Sequence, residues 1–221
     1  MITYTHKTHP RSRSIKIRIG PNGEIVVVTP QFVSKRKIDK FVIQSEFWIN
    51  QQLTKLTHMQ SFGETKNQLM VFGEKYQKEI IFNSNSKIGI KIHQHKAIIN
   101  PIENSVEKIT SEVTRFLKST AERYIIPRTN QLAKKMSLEF NHITLRQQKT
   151  RWGSCSSQKN LNFNWRLVHC SPNIIDYVII HELSHLKYMN HSKKFWEMVE
   201  IYDSEYPKHR GWLKRHGLTL G

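Results

Sequence analysis

Polar and apolar residues alternate strictly over residues 14–19, and a second apolar run follows at residues 24–28. Such alternation is typical of a strand with one buried face. The segment Pro21-Asn22-Gly23 between the two runs predicts a tight turn, so the two strands are expected to form a β-hairpin. The residues expected to point outward in this region are all basic: Lys7, Arg11, Arg13, Lys16 and Arg18. Two interpretations are open, namely that they contact phosphate groups or that they form the solvated face of a half-buried sheet.

Apolar residues recur every three or four positions over residues 34–58, which predicts one long helix with a buried aromatic stripe. Short apolar runs separated by Gly, Asn and Ser then predict strands at residues 68–72, 76–82, 88–92 and 97–99. Residues 1–103 are therefore expected to form a β-rich N-terminal domain that contains one long helix.

The segment Pro101–Ser105 is the expected domain boundary, and helical spacing begins directly after it. Pro127 interrupts that spacing and predicts either a kink or the junction of two helices. The elements predicted here are a helix over residues 106–136, strands at 143–145 and 161–168, and helices beginning near residues 172, 193 and 208. Residues 104–221 are thus expected to form a second domain, and the whole chain an α+β fold.

The most informative segment of the second domain is His181-Glu182-Leu183-Ser184-His185, which follows an apolar run. Residues four apart lie on the same face of an α-helix, so His181 and His185 can direct two imidazoles at one metal ion. Glu182 is close enough to take a proton from a metal-activated water without binding the metal itself. The pattern predicts a zinc hydrolase with Glu182 as general base.

Catalytic zinc sites generally use three protein ligands and keep one position open, so a third ligand is expected. His191 is the favoured candidate, although on a continuous helix it would point away from the metal. We therefore expect the helix to stop within residues 187–190, where Asn190 can adopt the left-handed conformation. A carboxylate on the following helix, Glu197 or Glu200, is the alternative ligand.

The connection that precedes this helix is basic, because residues 146–166 include five Lys or Arg and no acidic residue. Gly153 and its small neighbours indicate a tight loop that approaches another group closely. Arg151 and Arg166 are the candidate substrate-binding residues, since guanidinium groups bind phosphate or carboxylate oxygens. Alternatively, a strand here presents its edge to an extended peptide. Cys155 has no CxxC partner and is expected to be a packing residue.

Several polar side chains near the C-terminal end are candidates to stabilise an oxyanion in the transition state. They are Tyr188, Tyr202, His209 and Arg210. Their spacing does not favour any one of the four.

The chain of 221 residues has a formal net charge of +18, from 35 Lys and Arg against 17 Asp and Glu. Residues 1–103 contain 16 basic and 7 acidic residues and residues 104–221 contain 19 and 10, so each part contributes +9. Such a field attracts polyanions such as nucleic acids and nucleotides, and it also favours solubility. A nucleic acid partner is therefore compatible with the sequence.

The first 14 residues are polar and basic and lack the apolar segment of a signal peptide. No apolar run approaches the ~20 residues that a membrane-spanning helix needs. Two cysteines, Cys155 and Cys170, are too few for a disulfide framework. We therefore expect a cytoplasmic protein with reduced thiols and no membrane association.

A set of motifs in the second half resembles the YgjP-like metallopeptidases, which are related to the SprT-like zinc proteases. The motifs are R-W-G-S-C-S at 151–156, L-N-F-N-W-R-L at 161–167, I-I-D-Y-V-I-I-H-E-L-S-H at 174–185, N-H-S-x-x-F-W at 190–196 and W-L-K at 212–214. The resemblance implies a zincin-like α+β fold with zinc bound by His181, His185 and His191 and with Glu182 as base. SprT-like relatives act on DNA-linked protein, which agrees with the charge.

Three functions follow from these observations. The first is a zinc-dependent peptidase, in which the metal polarises the scissile carbonyl and its water. The second is a metal-dependent nucleotide pyrophosphatase or phosphohydrolase, because the basic segment around Arg151 and Arg166 suits phosphoryl oxygens. The third is a nucleic-acid-associated protease or binding module. A site of three histidines favours zinc but also binds nickel, copper or manganese.

Overall fold

The computed structural model describes residues 2–20, 23–60, 67–82, 89–148 and 151–216. These residues contain six α-helices, one 3-10 helix and ten strands in three sheets, so the predicted α+β class is confirmed. The chain divides into two compact units, Met1–Phe62 and Gly63–Gly221. The boundary predicted between residues 103 and 104 falls within the second unit, and that division of the chain stays a prediction.

The first unit is a three-stranded sheet with two helices. Its elements are β1 Thr5–Thr8, β2 Lys16–Ile19, β3 Ile25–Thr29, α1 Lys35–Gln44 and α2 Glu46–Gln60. Strands β2 and β3 form the predicted antiparallel hairpin, whereas the parallel pairing of β1 with β3 was not predicted. The turn residues Pro21 and Asn22 lie outside the described residues. The single long helix predicted here is interrupted at Ser45.

The two layers of this unit meet in one apolar cluster. It comprises Ile25, Val27, Ile38, Val42 and Ile49. Ile25 and Val27 are two residues apart on β3, and Ile38 and Val42 are four residues apart on α1, so one face of the sheet packs against one face of the helix. On the opposite face of the sheet, Lys7, Lys16 and Arg18 are exposed.

The second unit begins with a four-stranded sheet in the order β4-β5-β7-β6. Its strands are β4 Gln68–Val71, β5 Glu74–Ile80, β6 Gly89–His93 and β7 Lys96–Asn100. Two-residue turns join β4 to β5 at Phe72-Gly73 and β6 to β7 at Gln94-His95, and all four residues have positive φ. This is the turn conformation that matches the twist of a hairpin. The predicted start of β6 at Ile88 lies outside the described residues.

Helix α3 spans Val106–Lys135 without a break, although Pro127 lies inside it. The helix starts at Ser105, whose hydroxyl accepts a hydrogen bond from the Lys108 N–H at 3.3 Å. Pro127 cannot donate to the preceding turn, yet the helix continues and Thr129 donates its hydroxyl to the Ile125 carbonyl at 2.7 Å. The alternative of two separate helices is therefore wrong, and burial of this helix outweighs the lost hydrogen bond.

A second small sheet has the order β8-β10-β9, with β8 at His142–Arg146, β9 at Gly153–Cys155 and β10 at Asn160–Asn164. The predicted strand at residues 161–168 therefore ends early, because the chain turns into a 3-10 helix at Trp165–His169. The Asn164 side chain accepts a hydrogen bond from the Arg166 N–H at 3.2 Å, which caps that helix. Strand β9 was predicted as a loop and forms an outer strand of this sheet.

Three helices complete the chain: α4 Pro172–Ser184, α5 Lys193–Tyr202 and α6 Tyr206–His216. Helix α4 lies at the centre, in contact with α3, α5, α6 and β9. Ile175, Ile179 and Leu183 on α4 are fully buried, as its apolar spacing predicted. Gly217, the predicted end of the last helix, lies outside the described residues. No helix in the described ranges is both long and apolar enough to cross a membrane.

Candidate metal centre

Helix α4 places two of the predicted ligands one turn apart and ends at the second of them. The helix stops at Ser184 with His185 as its C-cap. The prediction that it would stop within residues 187–190 is therefore wrong by about one turn, and Asn190 does not adopt a positive φ. The N–H groups of Leu186 and Lys187 donate to carbonyls three residues earlier, at 3.0 and 3.1 Å, so the chain leaves the α-helix in a tight turn directly after Ser184.

This early turn brings His191 back towards the helix. The metal-binding nitrogens of His181, His185 and His191 all lie within 4.8 Å of one another. The centroids of the His181 ring and the two other rings are 5.0 Å apart, and those of His185 and His191 are 4.8 Å apart. Among the described residues, this group contains neither alternative ligand: Glu197 lies 3.6 Å from Lys193, and Glu200 is exposed.

The hydrogen bonds of the ring nitrogens orient two of these histidines. The His185 Nδ1 lies 3.0 Å from the Tyr188 carbonyl oxygen, which can only accept, so Nδ1 carries the proton and Nε2 is left with its lone pair. The Nε2 atoms of His181 and His191 are 3.1 Å apart. Two ring nitrogens this close can share one proton or bind one cation, and three converging nitrogens fit a transition metal.

An aromatic floor supports all three imidazoles. The ring of Phe195, which is fully buried at the start of α5, lies 4.6 to 4.9 Å from each of them. Trp196 stacks on His191 with centroids 5.5 Å apart. Because these contacts fix the ring planes, the histidines are held in place before any ligand binds.

Burial keeps the imidazoles of His181 and His185 in the neutral form that binds metals. It lowers the pKa of His181 to about 3, with further contributions from the nearby charges of His185, His191 and Arg210. Burial also lowers the pKa of His185, against the opposing effect of its hydrogen bond to Tyr188. Neutral imidazoles offer a lone pair without first losing a proton.

Glu182 is buried beside the histidines, with a relative exposure of 6 %. Burial raises the pKa of its carboxyl group to about 8, although the positive charge of Arg151 opposes this rise. The carboxylate lies against strand β9, where a Cβ atom on Gly153 would come within 2.6 Å of both Cγ and Oε1 of Glu182. Gly153 therefore leaves the space that this carboxylate occupies.

His181 and Glu182 open into a cleft of about 340 Å³. Its walls come from the segment before β10 and from helices α4 and α6. The lining residues are Arg151, Trp152, Gly153, Tyr177, Val178, His181, Glu182, Arg210, Leu213 and Lys214. Three of these are cationic and only Glu182 is acidic, so the cleft has an excess of positive charge.

The family model of the YgjP-like metallopeptidase domain matches residues 13–216, which is most of the chain. The chain belongs to the YgjP-like metallopeptidase family. The resemblance inferred from the sequence motifs is therefore confirmed. Like the family as a whole, the protein is a metallopeptidase-type hydrolase.

Two solved structures are similar to part of this YgjP-like chain. The metallopeptidase zymogen jannalysin of Methanocaldococcus jannaschii is 24% identical, and the match covers 41% of this chain and 94% of jannalysin with a TM-score of 0.38. The zymogen abylysin of Pyrococcus abyssi is 20% identical, with coverages of 41% and 96% and a TM-score of 0.36. A comparison with curated proteins found no match.

The two predicted substrate-binding arginines of this YgjP-like chain lie in different places. Arg151 lines the cleft. Arg166 is not among the lining residues, and its guanidinium lies 5.1 Å from the centroid of the Trp165 ring. Only Arg151 is thus placed next to Glu182.

Of the four oxyanion candidates, Arg210 lines the cleft. Tyr188 contributes its backbone carbonyl to His185. Tyr202 and His209 line a different pocket, in which His209 Nδ1 lies 2.8 Å from Asp203. Arg210 is therefore the candidate with access to a substrate bound beside Glu182.

Cys155 is half-buried on β9, outside the metal-binding group found among the described residues. Burial, together with the negative charge of Glu182, raises the pKa of its thiol to about 11. A thiol with such a pKa stays protonated at neutral pH and is a poor nucleophile. This agrees with its predicted packing role.

Three contributors to the site were missed by the sequence interpretation or given no role in it. They are Phe195, Tyr177 and the strand conformation at Gly153. Phe195 was predicted only as part of an apolar helix face, and the Tyr177 ring lies 5.9 Å from the His181 ring. The small residues next to Trp152 did indicate a close approach, but the sequence does not identify Glu182 as the group approached.

We expect Gly153→Ala to lower hydrolytic activity by at least about tenfold, because the new Cβ would displace the Glu182 carboxylate. The folded state should also lose about 1–3 kcal/mol through overpacking. The measurements are initial rates of peptide cleavage and denaturant unfolding. Gly211→Ala is the matched control, since its Cβ meets only the flexible end of Arg215 at 3.3 Å. Equal activity of the two variants would contradict the close packing of Gly153 and Glu182.

Proposed function

We propose that this YgjP-like protein is a zinc-dependent metallopeptidase with Glu182 as its general base. The observation that supports this most is the convergence of three imidazoles beside one buried carboxylate. His181, His185 and His191 would hold the metal, because their nitrogen spacing and the neutral state of His181 and His185 suit a site of three histidines. This donor set favours zinc, although nickel, copper or manganese would also bind.

A divalent metal in this site would supply Lewis acidity for the scissile carbonyl and lower the pKa of a water molecule. Glu182 accepts the proton at its carboxylate and later returns it to the leaving amine. Burial raises the pKa of this carboxyl group, which makes the carboxylate a stronger proton acceptor. The hydrogen bond from His185 to the Tyr188 carbonyl keeps the His185 Nε2 free for the metal.

Strand β9 offers a binding mode for the substrate. It is one of the two outer strands of its sheet, and among the described strands it pairs only with β10. An extended peptide can add to such an edge through main-chain hydrogen bonds. Because Gly153 on this strand contacts Glu182, a peptide bound there would pass next to the general base.

Two arginines of the cleft are assigned to the substrate. Arg151 would bind a carboxylate or carbonyl oxygen of the peptide. Arg210 would stabilise the negative charge that develops on the scissile carbonyl oxygen. Its guanidinium is held 4.6 Å from the Trp196 ring centroid, on the same aromatic residue that stacks on His191.

A nucleotide phosphohydrolase is the second candidate function. Its support is the positive lining of the cleft by Arg151, Arg210 and Lys214, against one buried carboxylate. Phosphoryl oxygens bind well to such groups. The same metal and the same Glu182 would serve this reaction.

Casein and nucleoside triphosphates, each incubated with and without a chelator, distinguish the two functions. We expect new peptide fragments from casein, their loss with chelator, and recovery when zinc is restored. Phosphate or pyrophosphate release with the same dependence, and no casein cleavage, would instead support the phosphohydrolase. Hydrolysis that is insensitive to chelator would contradict both assignments.

A further inference from the structure

The outer face of the first sheet carries a regular array of cations. In the strand register, Lys7 of β1 and Lys16 of β2 lie on either side of Val28 of β3. In the next row of the same face, Arg18 lies beside Val26. Paired residues of neighbouring strands point to the same side of a sheet, so the three cations share one face.

This face is open to solvent and almost free of negative charge. Lys7, Lys16 and Arg18 are exposed, while the two valines between them are half-buried. Among the described residues of this face, Glu24 is the acidic one. It lies at the turn end of the face, with its carboxylate against Gly20. The opposite face of the sheet packs on the helices, so the cations are not part of the core.

The spacing of the three cations follows from the sheet geometry. Lys16 and Arg18 are two residues apart along one strand, which is about 6.8 Å, and Lys7 is two strands away from Lys16, about 9.6 Å. The separation along the strand is comparable with the distance between successive phosphates of a nucleic-acid strand. Val26 and Val28 form an apolar floor between the cations, on which sugars or bases can lie.

We propose that this face, formed by Lys7, Lys16, Arg18, Val26 and Val28, binds a nucleic-acid strand through its phosphates. The surface is distinct from the metal centre and does not depend on the proposed peptidase activity. Among the described residues of this unit, the strongly exposed large apolar side chains, such as Phe32 and Phe47, lie outside the sheet. A face of cations without protruding apolar groups suits a phosphodiester backbone better than insertion into a membrane.

The test is fluorescence anisotropy with a labelled oligothymidylate and the full-length protein over a series of salt concentrations. The variant Lys7→Gln, Lys16→Gln, Arg18→Gln removes the three cations of the face. We expect this variant to bind the oligonucleotide at least about tenfold more weakly. The slope of log Kobs against log salt concentration should become shallower by about 2, because three phosphate contacts are lost.

The matched control is Arg36→Gln, Lys37→Gln, Lys40→Gln on helix α1, which removes the same total charge. These residues are exposed on the helix layer, away from the buried Ile38 and Val42 that face the sheet. The control should bind within about twofold of the unchanged protein. Equal weakening in both variants, or binding to anionic vesicles without binding to the oligonucleotide, would overturn the proposal. Both variants should unfold at an unchanged temperature, since all six side chains are exposed.

Discussion

Replacing Glu182 by glutamine should lower kcat/KM for peptide cleavage by about 10³-fold while the protein stays folded and keeps its metal. Glutamine has nearly the same shape, so it fits the space that Gly153 leaves. Its amide cannot accept the proton that the carboxylate takes. The three histidines are unchanged, so metal content should stay at the level of the unchanged protein.

The control for this variant is Glu122→Gln, at an exposed position of helix α3. This control makes the same chemical change at a residue that does not line the cleft, so it should keep full activity. Peptide cleavage rates, metal content and thermal unfolding are measured for both variants. Activity of Glu182→Gln within about tenfold of the control would exclude the general-base role. Loss of metal in that variant would instead make Glu182 a ligand.

The parts of the site that were predicted from the sequence are those encoded by local spacing. The separation of His181 and His185 by four residues fixes their common face on any α-helix. The apolar residues Ile175, Ile179 and Leu183 fix which side of that helix is buried. These relations depend on helix geometry alone.

The parts that were not predicted depend on contacts between distant segments. Helix α4 ends at Ser184, earlier than predicted. At this point the buried Ser184 hydroxyl donates to the Ile180 carbonyl at 2.7 Å and the chain turns. Strand β9 has only three residues and no alternating pattern, so it forms through pairing with β10. The predicted strand at residues 161–168 contains Asn164, whose side chain caps a 3-10 helix instead.

The electrostatic character of the site also arises from distant segments. Glu182 has a raised pKa because the surrounding structure buries it, and Arg151 and Arg210 reach the cleft from segments about 30 residues away on either side. Sequence spacing could suggest each of these residues but could not place them together. Arg166 has the same chemistry as Arg151 and lies beside Trp165 instead.

Replacing His191 by alanine should remove the metal and with it the hydrolytic activity. His191 is exposed, so the apo protein should unfold at nearly its usual temperature. Zinc affinity should fall by more than about 100-fold. Loss of a metal ligand lowers the affinity at least as much as loss of a residue that hydrogen-bonds to a ligand. The unchanged protein should gain about 2.7 kcal/mol of stability at zinc concentrations 100 times the Kd, and this gain should vanish in the variant.

The third-ligand assignment is decided by comparing His191→Ala with Glu200→Ala and His142→Ala under the same zinc titration. His142 is an exposed histidine on β8, outside the metal-binding group, and its replacement controls for the loss of an imidazole. If Glu200→Ala released the metal and His191→Ala retained it, a carboxylate would be the third ligand. The 3.1 Å separation of the His181 and His191 Nε2 atoms argues for the opposite result, because His191, unlike Glu200, belongs to the group of described residues that can bind one metal together with His181.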